Sequence, residues 1–324
     1  MNYEWNYETP SADAAALATA LAARAGIHPA LGKLLLDRGI TDEAEVRHFF
    51  RPQLTDLHNP FLMNDMDVAV ERLNAALGSK ERIMVYGDYD VDGCTAVALV
   101  YKFLAQFYSN IDFYIPDRYE EGYGISKKGI DFAANTGVKL IIVLDCGIKA
   151  IEEIDYAASL GIDFIICDHH VPDEELPNAV AILNPKRVDN TYPYTHLSGC
   201  GVGFKLVQAY SQRFDIPFDT LIPLLDLLVV SIASDLVSVT DENRILAHYG
   251  LKQLNGNPRE GLLAMIQLSG LEPTHISIDD IVFKIGPRIN AAGRMESGRI
   301  AVELLTASNV AEAVRIGTEI NEHN

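Results

Sequence analysis

Ile83-Met84-Val85-Tyr86-Gly87-Asp88-Tyr89-Asp90-Val91-Asp92-Gly93 is the stretch on which the reading of this chain turns. An apolar run leads into three aspartates at spacing two, and the residues that follow, Cys94 to Phe107, are mostly apolar and helix-compatible. The pattern predicts a buried strand, an acidic loop and a helix. That arrangement puts negative charge at the carboxyl edge of a sheet, where open α/β folds bind their ligands. Carboxylates this close repel one another unless a cation neutralises them, so the loop points to a divalent metal. The same Asp-x-Asp-x-Asp-Gly opening begins an EF-hand calcium loop, which needs a bidentate Glu at its twelfth position and a helix before it. Counting from Asp88, that position is Leu99, and a strand precedes the loop. Taken alone, the stretch also reads as a solvated acidic turn.

Two further strand ends carry acids. Leu140-Ile141-Ile142-Val143-Leu144 runs straight into Asp145-Cys146-Gly147, and Phe164-Ile165-Ile166-Cys167 runs into Asp168-His169-His170. Continuous apolar runs separated by helical segments signal a fully buried parallel sheet, whose strand ends converge on one edge. Asp88, Asp90, Asp92, Asp145, Asp168, His169 and His170 are therefore expected to share one crevice. Oxygen ligands with one or two imidazoles suit manganese, or magnesium, better than a thiolate zinc site.

The rest of the chain bounds the reading. With 324 residues the expectation is about two domains. No apolar run approaches the ~20 residues of a membrane span, and the N-terminus, Met1-Asn2-Tyr3-Glu4-Trp5, lacks the regions of a signal peptide. These features predict an intracellular, cytoplasmic protein that does not engage membranes. Cys94, Cys146, Cys167 and Cys200 form no CxxC pair and read as buried packing residues in a reducing compartment. A net charge of −19 argues against simple wrapping of nucleic acid. Binding of a polyanion would rely on metals and a few placed arginines, or on a basic domain outside this chain.

Three regions follow from the patterning. Residues 1–80 are expected to be a small helical N-terminal region, with Ser11 capping a helix from Ala12 to Ala25, Gly26 stopping it, and Thr41 capping another through Phe50. Met66 to Leu77 is a further amphipathic helix. Residues 81–255 are read as the α/β domain. Its strands fall near 83–87, 111–116, 140–144, 163–167 and 180–183, alternating with helices near 94–107, 126–135 and 149–159, a doubly wound, mainly parallel pattern. From 203 onward the chain turns helical, through Phe204–Phe214, Thr220–Ala233, Asn243–Leu254 and Gly261–Leu268. Residues 256–324 form a helical segment ending in Val310–Glu322, which predicts a chain cut at a linker helix.

Other constellations admit two readings each. Ser198-Gly199-Cys200-Gly201-Val202-Gly203 opens a helix, so its amides either cradle a phosphate or make a tight turn with close helix–sheet packing. Its spacing does not fit a dinucleotide fingerprint, and the chain has no Walker A sequence. Ser234-Asp235 ends an apolar helix and either delivers a ligand to the crevice or is solvated. Gly286-Pro287-Arg288-Ile289-Asn290-Ala291-Ala292-Gly293-Arg294 offers two arginines for phosphate recognition or for pairing with carboxylates. Arg118, in Pro116-Asp117-Arg118-Tyr119-Glu120-Glu121-Gly122-Tyr123-Gly124, is either a salt-bridged loop residue or a phosphate hook.

Together these residues resemble the DHH phosphoesterase superfamily and, within it, the RecJ single-strand-specific exonucleases. Asp88 to Gly93 is similar to the first family motif, Asp145-Cys146-Gly147 to the second, Asp168-His169-His170 to the motif that names the superfamily, and Ser234-Asp235 to the fourth. These four also fit family II inorganic pyrophosphatases, oligoribonucleases and cyclic-dinucleotide phosphodiesterases. The helical lead-in with Arg38-Gly39-Ile40 and Asn64-Asp65-Met66-Asp67, together with Gly286 to Arg294 and the Arg118 loop, points to RecJ. RecJ proteins continue into a DHH-associated domain and an OB-type domain that this chain lacks. The resemblance implies two Mn²⁺ or Mg²⁺ ions held by Asp90, Asp92, Asp145, His169 and Asp235, with Asp145 as the bridge and Asp88 completing or orienting the set. It implies that His170 contacts the scissile phosphate or protonates the leaving oxygen, and that Asp168 orients the histidines. Arg118, Arg288 and Arg294 would hold backbone phosphates, with Ser198, Gly199 and Asn290 as further DNA-binding residues. The implied activity is 5′-to-3′ degradation of single-stranded DNA in repair and recombination, by a monomer with a single-strand-binding protein as partner. The rival readings are a phosphodiesterase of short oligonucleotides or cyclic dinucleotides, and a non-catalytic DHH scaffold.

Overall fold

The computed structural model describes residues 9–292 and 298–322, so Arg294 lies outside the described residues. The chain divides into two compact units between Leu57 and His58. The first holds α1 (Ala12–Ala25), α2 (Pro29–Leu36) and α3 (Glu43–Phe50) around Leu21, Leu35 and Val46. Ser11 caps α1 by accepting the amide of Ala14, and Gly26 ends it at a left-handed φ of 66°, both as expected. Asp42, not Thr41, caps α3. Its carboxylate accepts Glu45 N–H while the Glu45 carboxylate takes the amides of Asp42 and Thr41, a reciprocal capping box.

The second unit is built on a parallel sheet. Its first elements are α4 (Met66–Gly78), β1 (Arg82–Gly87), α5 (Val91–Leu104), β2 (Ile111–Tyr114), α6 (Lys127–Asn135), β3 (Val138–Leu144), α7 (Ile151–Ser159), β4 (Asp163–Cys167), β5 (Ala181–Leu183) and α8 (Gly199–Arg213). All strand pairs are parallel, in the order β2-β1-β3-β4-β5. Ile83 to Tyr86 and Leu140 to Leu144 are buried throughout, which is why these strands read as unbroken apolar runs rather than as alternation. The chain leaves β1 toward β2 on one side, then returns to place β3 on the other. The crevice above the carboxyl ends of β1 and β3 is thus the topological switch point, where this fold takes its ligands.

The first boundary falls earlier than residue 80, because α4 belongs with the sheet. Just ahead of it, Asp65 accepts the amide of Ile182 on β5 at 3.1 Å and pairs with Arg187, and Met66, Ala69, Val70, Leu73 and Ala76 are all buried. Helical periodicity shows the apolar face of α4 but not which core it joins. The expected boundary near 256 does not appear either. After α9 (Leu225–Ser234) and α10 (Asp241–Gly256) come α11 (Glu260–Leu268), α12 (Ile278–Asp280), a π-helical turn (Ile281–Ile285), α13 (Gly286–Ala292), α14 (Arg299–Thr306) and α15 (Val310–Glu322), all within the same unit.

Two buried ion pairs fasten these helices. Arg259 binds Asp226 of α9 through Nε at 2.9 Å, Nη2 at 2.6 Å and its own amide at 3.0 Å, and also donates to the carbonyls of Pro223 and Leu305. Lys205 of α8 and Glu242 of α10 are both fully buried, 2.9 Å apart, and Glu242 also accepts the amide of His58 and the hydroxyl of Tyr192. Removing one member strands a buried charge, whereas removing both does not. Arg259→Leu is therefore expected to cost about 3–5 kcal/mol in a urea unfolding curve, and Arg259→Leu with Asp226→Leu much less. Equal losses in the single and double variants would contradict this account.

Candidate metal centre

Each acidic strand end is shaped by a local constraint. Gly87 ends β1, Asp88 follows, and Asp90 caps α5 by accepting the amide of Gly93 at 2.9 Å. Gly93 is required because a Cβ there would meet the Asp88 carbonyl oxygen at 2.4 Å. Asp145 follows β3 in the left-handed region, at φ 60°, a costly conformation that tends to persist at functional sites. Past β4, Asp168 turns inward. Its Oδ1 accepts the amides of His169 at 2.7 Å and His170 at 3.1 Å and lies 2.8 Å from His170 Nδ1, while Oδ2 accepts the amide of Ile148.

These groups meet at His169. Its Nε2 lies 3.1 Å from Asp145 Oδ1, 3.6 Å from Asp235 Oδ2 and 3.7 Å from Asp92 Oδ2. Two sets bring one ligand atom from each residue within 4.8 Å of the others: Asp145, His169 and His170, and Asp92, His169 and Asp235. Asp235 closes α9 as its C-cap, and Leu236 then turns the chain away at φ 55°. The carboxylates of Asp88 and Asp90 stand beside these sets without joining either.

Asp92 is held by α8. Its Oδ2 accepts the amide of Gly199 at 2.7 Å, and its Oδ1 accepts the amide of Cys200 at 2.8 Å and the hydroxyl of Ser231 at 2.7 Å. Ser198 caps α8 through the amide of Gly201 and lies 2.6 Å from the Ser231 hydroxyl. The glycine-rich helix start thus gives its amides to an internal carboxylate, where an external phosphate had been one expectation. Gly199 has a second duty, since a Cβ there would sit 2.5 Å from Asp145 Cβ.

The electrostatics fit a cation. Burial, then Asp90, raises Asp88 to about 7. Burial, then Asp92 and Asp90, raises Asp235 to about 7. Burial and the surrounding carboxylates drive Asp145 well above its ordinary value. Among the described residues, Asp88 Oδ1, Asp145 Oδ1 and His169 Nδ1 are buried without a hydrogen-bond partner, which is costly unless something else binds there. Burial lowers the pKa of His169, favouring the neutral imidazole a metal needs. The hydrogen bond that His170 makes to Asp168 raises the pKa of that imidazole. Burial acts against Asp168, but the bond and charge of His170 outweigh it and hold the carboxyl below its ordinary value. Oxygen donors with imidazole, carboxylates crowded past tolerance and unpartnered ligand atoms together suit Mn²⁺ or Mg²⁺. All four cysteines are buried and unbridged, burial pushes their thiols up, and none joins a candidate ligand set among the described residues.

The arginines separate. Arg118 is exposed and lies over the ring of Tyr89, 5.2 Å from its centroid, with no carboxylate partner among the described residues. Its loop is fixed from below by Glu121, which accepts from Tyr114 and the amide of Asp117. Arg288 donates to Asn321 Oδ1 at 3.2 Å and to the Lys284 carbonyl at 2.7 Å, and it has no carboxylate partner among the described residues. Asn290 is half-buried on α13. Sequence reasoning missed Tyr123, whose hydroxyl donates to the Asp145 carbonyl at 3.2 Å and lies 3.4 Å from His170 Nε2. It also missed Ser231, a buried hydroxyl in the apolar run Leu227 to Ala233 of α9, which was a legible signal.

Comparison with known proteins agrees with this geometry. Residues 82–232 match the DHH family, N-terminal domain, and the chain belongs to the DHH family. Within that family its likeness is to RecJ. It is 38% identical over 320 residues to the single-stranded-DNA-specific exonuclease RecJ of Bacillus subtilis, covering 99% of this chain and 40% of that protein. It is 34% identical to the RecJ of Escherichia coli, covering 93% of this chain and 53% of that one. The crystal structure of Thermus thermophilus RecJ in complex with Mn²⁺ superposes with a TM-score of 0.80 at 25% identity, over 95% of this chain and 43% of that one. The chain thus spans about half the length of the curated relatives it matches.

Two predictions follow from the crowded carboxylates and the close glycine. Without cation, the folded state keeps protons on Asp88 and Asp235 up to about pH 7, whereas the unfolded chain releases them near 3.8. The folded state then binds more protons, so its stability is lost as pH rises from about 4 to about 7. The Tm of cation-free protein should fall between about pH 6 and about pH 8, and Mn²⁺ should raise it more at the higher pH. An equal Mn²⁺ shift at both would contradict the assignment. Gly199→Ala should displace Asp145 and weaken Mn²⁺ binding by about 10–100-fold in calorimetric titration.

Proposed function

We propose that this chain is the catalytic part of a metal-dependent exonuclease that degrades single-stranded DNA from the 5′ end, acting in the cytoplasm in DNA repair and recombination. The observation that carries the reading is the convergence of Asp92, Asp145, His169 and Asp235 at a parallel-sheet switch point. The likeness to single-stranded-DNA-specific RecJ exonucleases supports it. Two Mn²⁺ or Mg²⁺ ions, when bound, would supply an activated water and screen the charge on a phosphodiester.

The chain's own residues set the rest of the chemistry. Asp92, Asp145, His169 and Asp235 would form the ligand set, with Asp88 and Asp90 beside it. Asp168 fixes the Nδ1 side of His170, which leaves Nε2 as the atom free to meet a phosphate oxygen or a leaving oxygen. Because Asp168 favours the protonated imidazole, His170 is suited to donate a proton there. Tyr123 flanks that nitrogen. Arg118, stacked on Tyr89 and unpaired among the described residues, is placed to hold a backbone phosphate.

The test is a 5′-phosphorylated single-stranded oligonucleotide labelled at its 3′ end, incubated with Mn²⁺ and sampled over time. Progressive shortening from the 5′ end is expected. Asp145→Ala should abolish it with the fold intact. His170→Ala should lower kcat by about 10²–10⁴-fold, and Arg118→Ala should act mainly on KM. Cleavage of dinucleotides alone would replace this reading with that of a short-oligonucleotide phosphodiesterase.

A further inference from the structure

Resting on the metal-dependent reading above, we infer that Ser231 is a positioning residue that sets the spacing of two ligands, Asp92 and Asp235. Ser231 is completely buried within α9, between the apolar Val230 and Ile232, and a buried hydroxyl is costly unless it is bonded. Its hydroxyl donates to Asp92 Oδ1 at 2.7 Å. Its backbone carbonyl accepts the amide of Asp235 at 3.0 Å. One residue therefore grips a carboxylate from the β1–α5 turn with its side chain and the last turn of α9 with its main chain.

The direction of the hydroxyl chain is fixed by proton counting. A serine has one O–H to donate. Ser231 spends its proton on Asp92, so in the 2.6 Å contact with Ser198 it must accept. Ser198, which already accepts the amide of Gly201, is then the donor. The relay runs from the start of α8 through Ser198 and Ser231 to Asp92, and it joins α8 and α9 at the carboxylate. Without the Ser231 hydroxyl, Asp92 keeps the amides of Gly199 and Cys200 and so stays in place. What is lost is the tie between Asp92 and the helix that carries Asp235, with His169 between them.

The test is calorimetric titration of Mn²⁺ into metal-free protein, with no substrate present. Ser231→Ala should weaken Mn²⁺ binding by about tenfold or more, the scale expected when an outer hydrogen bond to a ligand is removed. Ser231→Thr, which keeps the hydroxyl, should restore most of the affinity. Ser211→Ala is the control, because Ser211 on α8 is buried and its hydroxyl has no partner among the described residues; it should bind Mn²⁺ as wild type does. If Ser231→Ala does not fold, Ser198→Ala removes the relay's donor without touching Asp92 and should give a smaller loss. Unchanged affinity in Ser231→Ala, or an equal loss in Ser211→Ala, overturns the inference. Wild-type protein that binds Mn²⁺ but leaves single-stranded DNA uncut would overturn the proposed activity and leave this inference standing.

Discussion

The carboxylate of Asp92 is the constraint on which the second unit depends. It takes two amides from the start of α8 and a hydroxyl from the middle of α9, so three segments far apart in sequence are indexed to one charged group. A carboxylate at a helix N-terminus is favoured both by the free amides and by the helix dipole. The same approach explains the glycine at the helix start. Gly199 brings its amide to Asp92 while leaving room for Asp145, which itself sits in a strained left-handed turn. The ligands from β1, β3 and α9 are thus located by one packing event, and a disturbance at any of them reaches the others.

That arrangement holds several carboxylates closer together than they would choose. The fold accepts the tension in the crevice and removes it elsewhere, with Arg259 on Asp226 and Lys205 on Glu242 in the buried helical layer. The structure is therefore most strained where a cation would relieve it. The same logic reconciles a net charge of −19 with the polyanionic substrate proposed above. Negative charge concentrated on metal ligands is offset locally, and Arg118 is left unpaired among the described residues beside that site.

The parts of this design that repeat a simple pattern were legible in the sequence. Apolar runs ending in Asp88, Asp145 and Asp168 gave the strands, their parallel sense and the edge on which the acids gather, because burial on both faces leaves a one-dimensional trace. The helix cap at Ser11 was equally local. What depended on distant contacts was not legible. The amides of Gly199 and Cys200 looked like a phosphate cradle because their partner, Asp92, lies more than a hundred residues away. The membership of α4 in the main unit rests on Asp65 reaching β5. The bonds of Arg288 to Asn321 and to the Lys284 carbonyl were likewise out of reach of a local reading.

The adjacent histidines show most directly how environment, rather than residue type, assigns a role. His169 and His170 stand with ring centroids 4.7 Å apart, yet their pKa values move in opposite directions. Burial dominates at His169 and favours the neutral ring, which keeps a lone pair for a metal. At His170 the bond to Asp168 dominates and favours the charged ring, which keeps a proton to give. Asp168 can do this because its other lone pairs are spent on backbone amides, which stabilise its negative charge. One buried acidic residue therefore biases two chemically identical neighbours toward the proposed roles of ligand and acid, the division of labour that enzymes more often obtain from paired carboxylates in unlike surroundings.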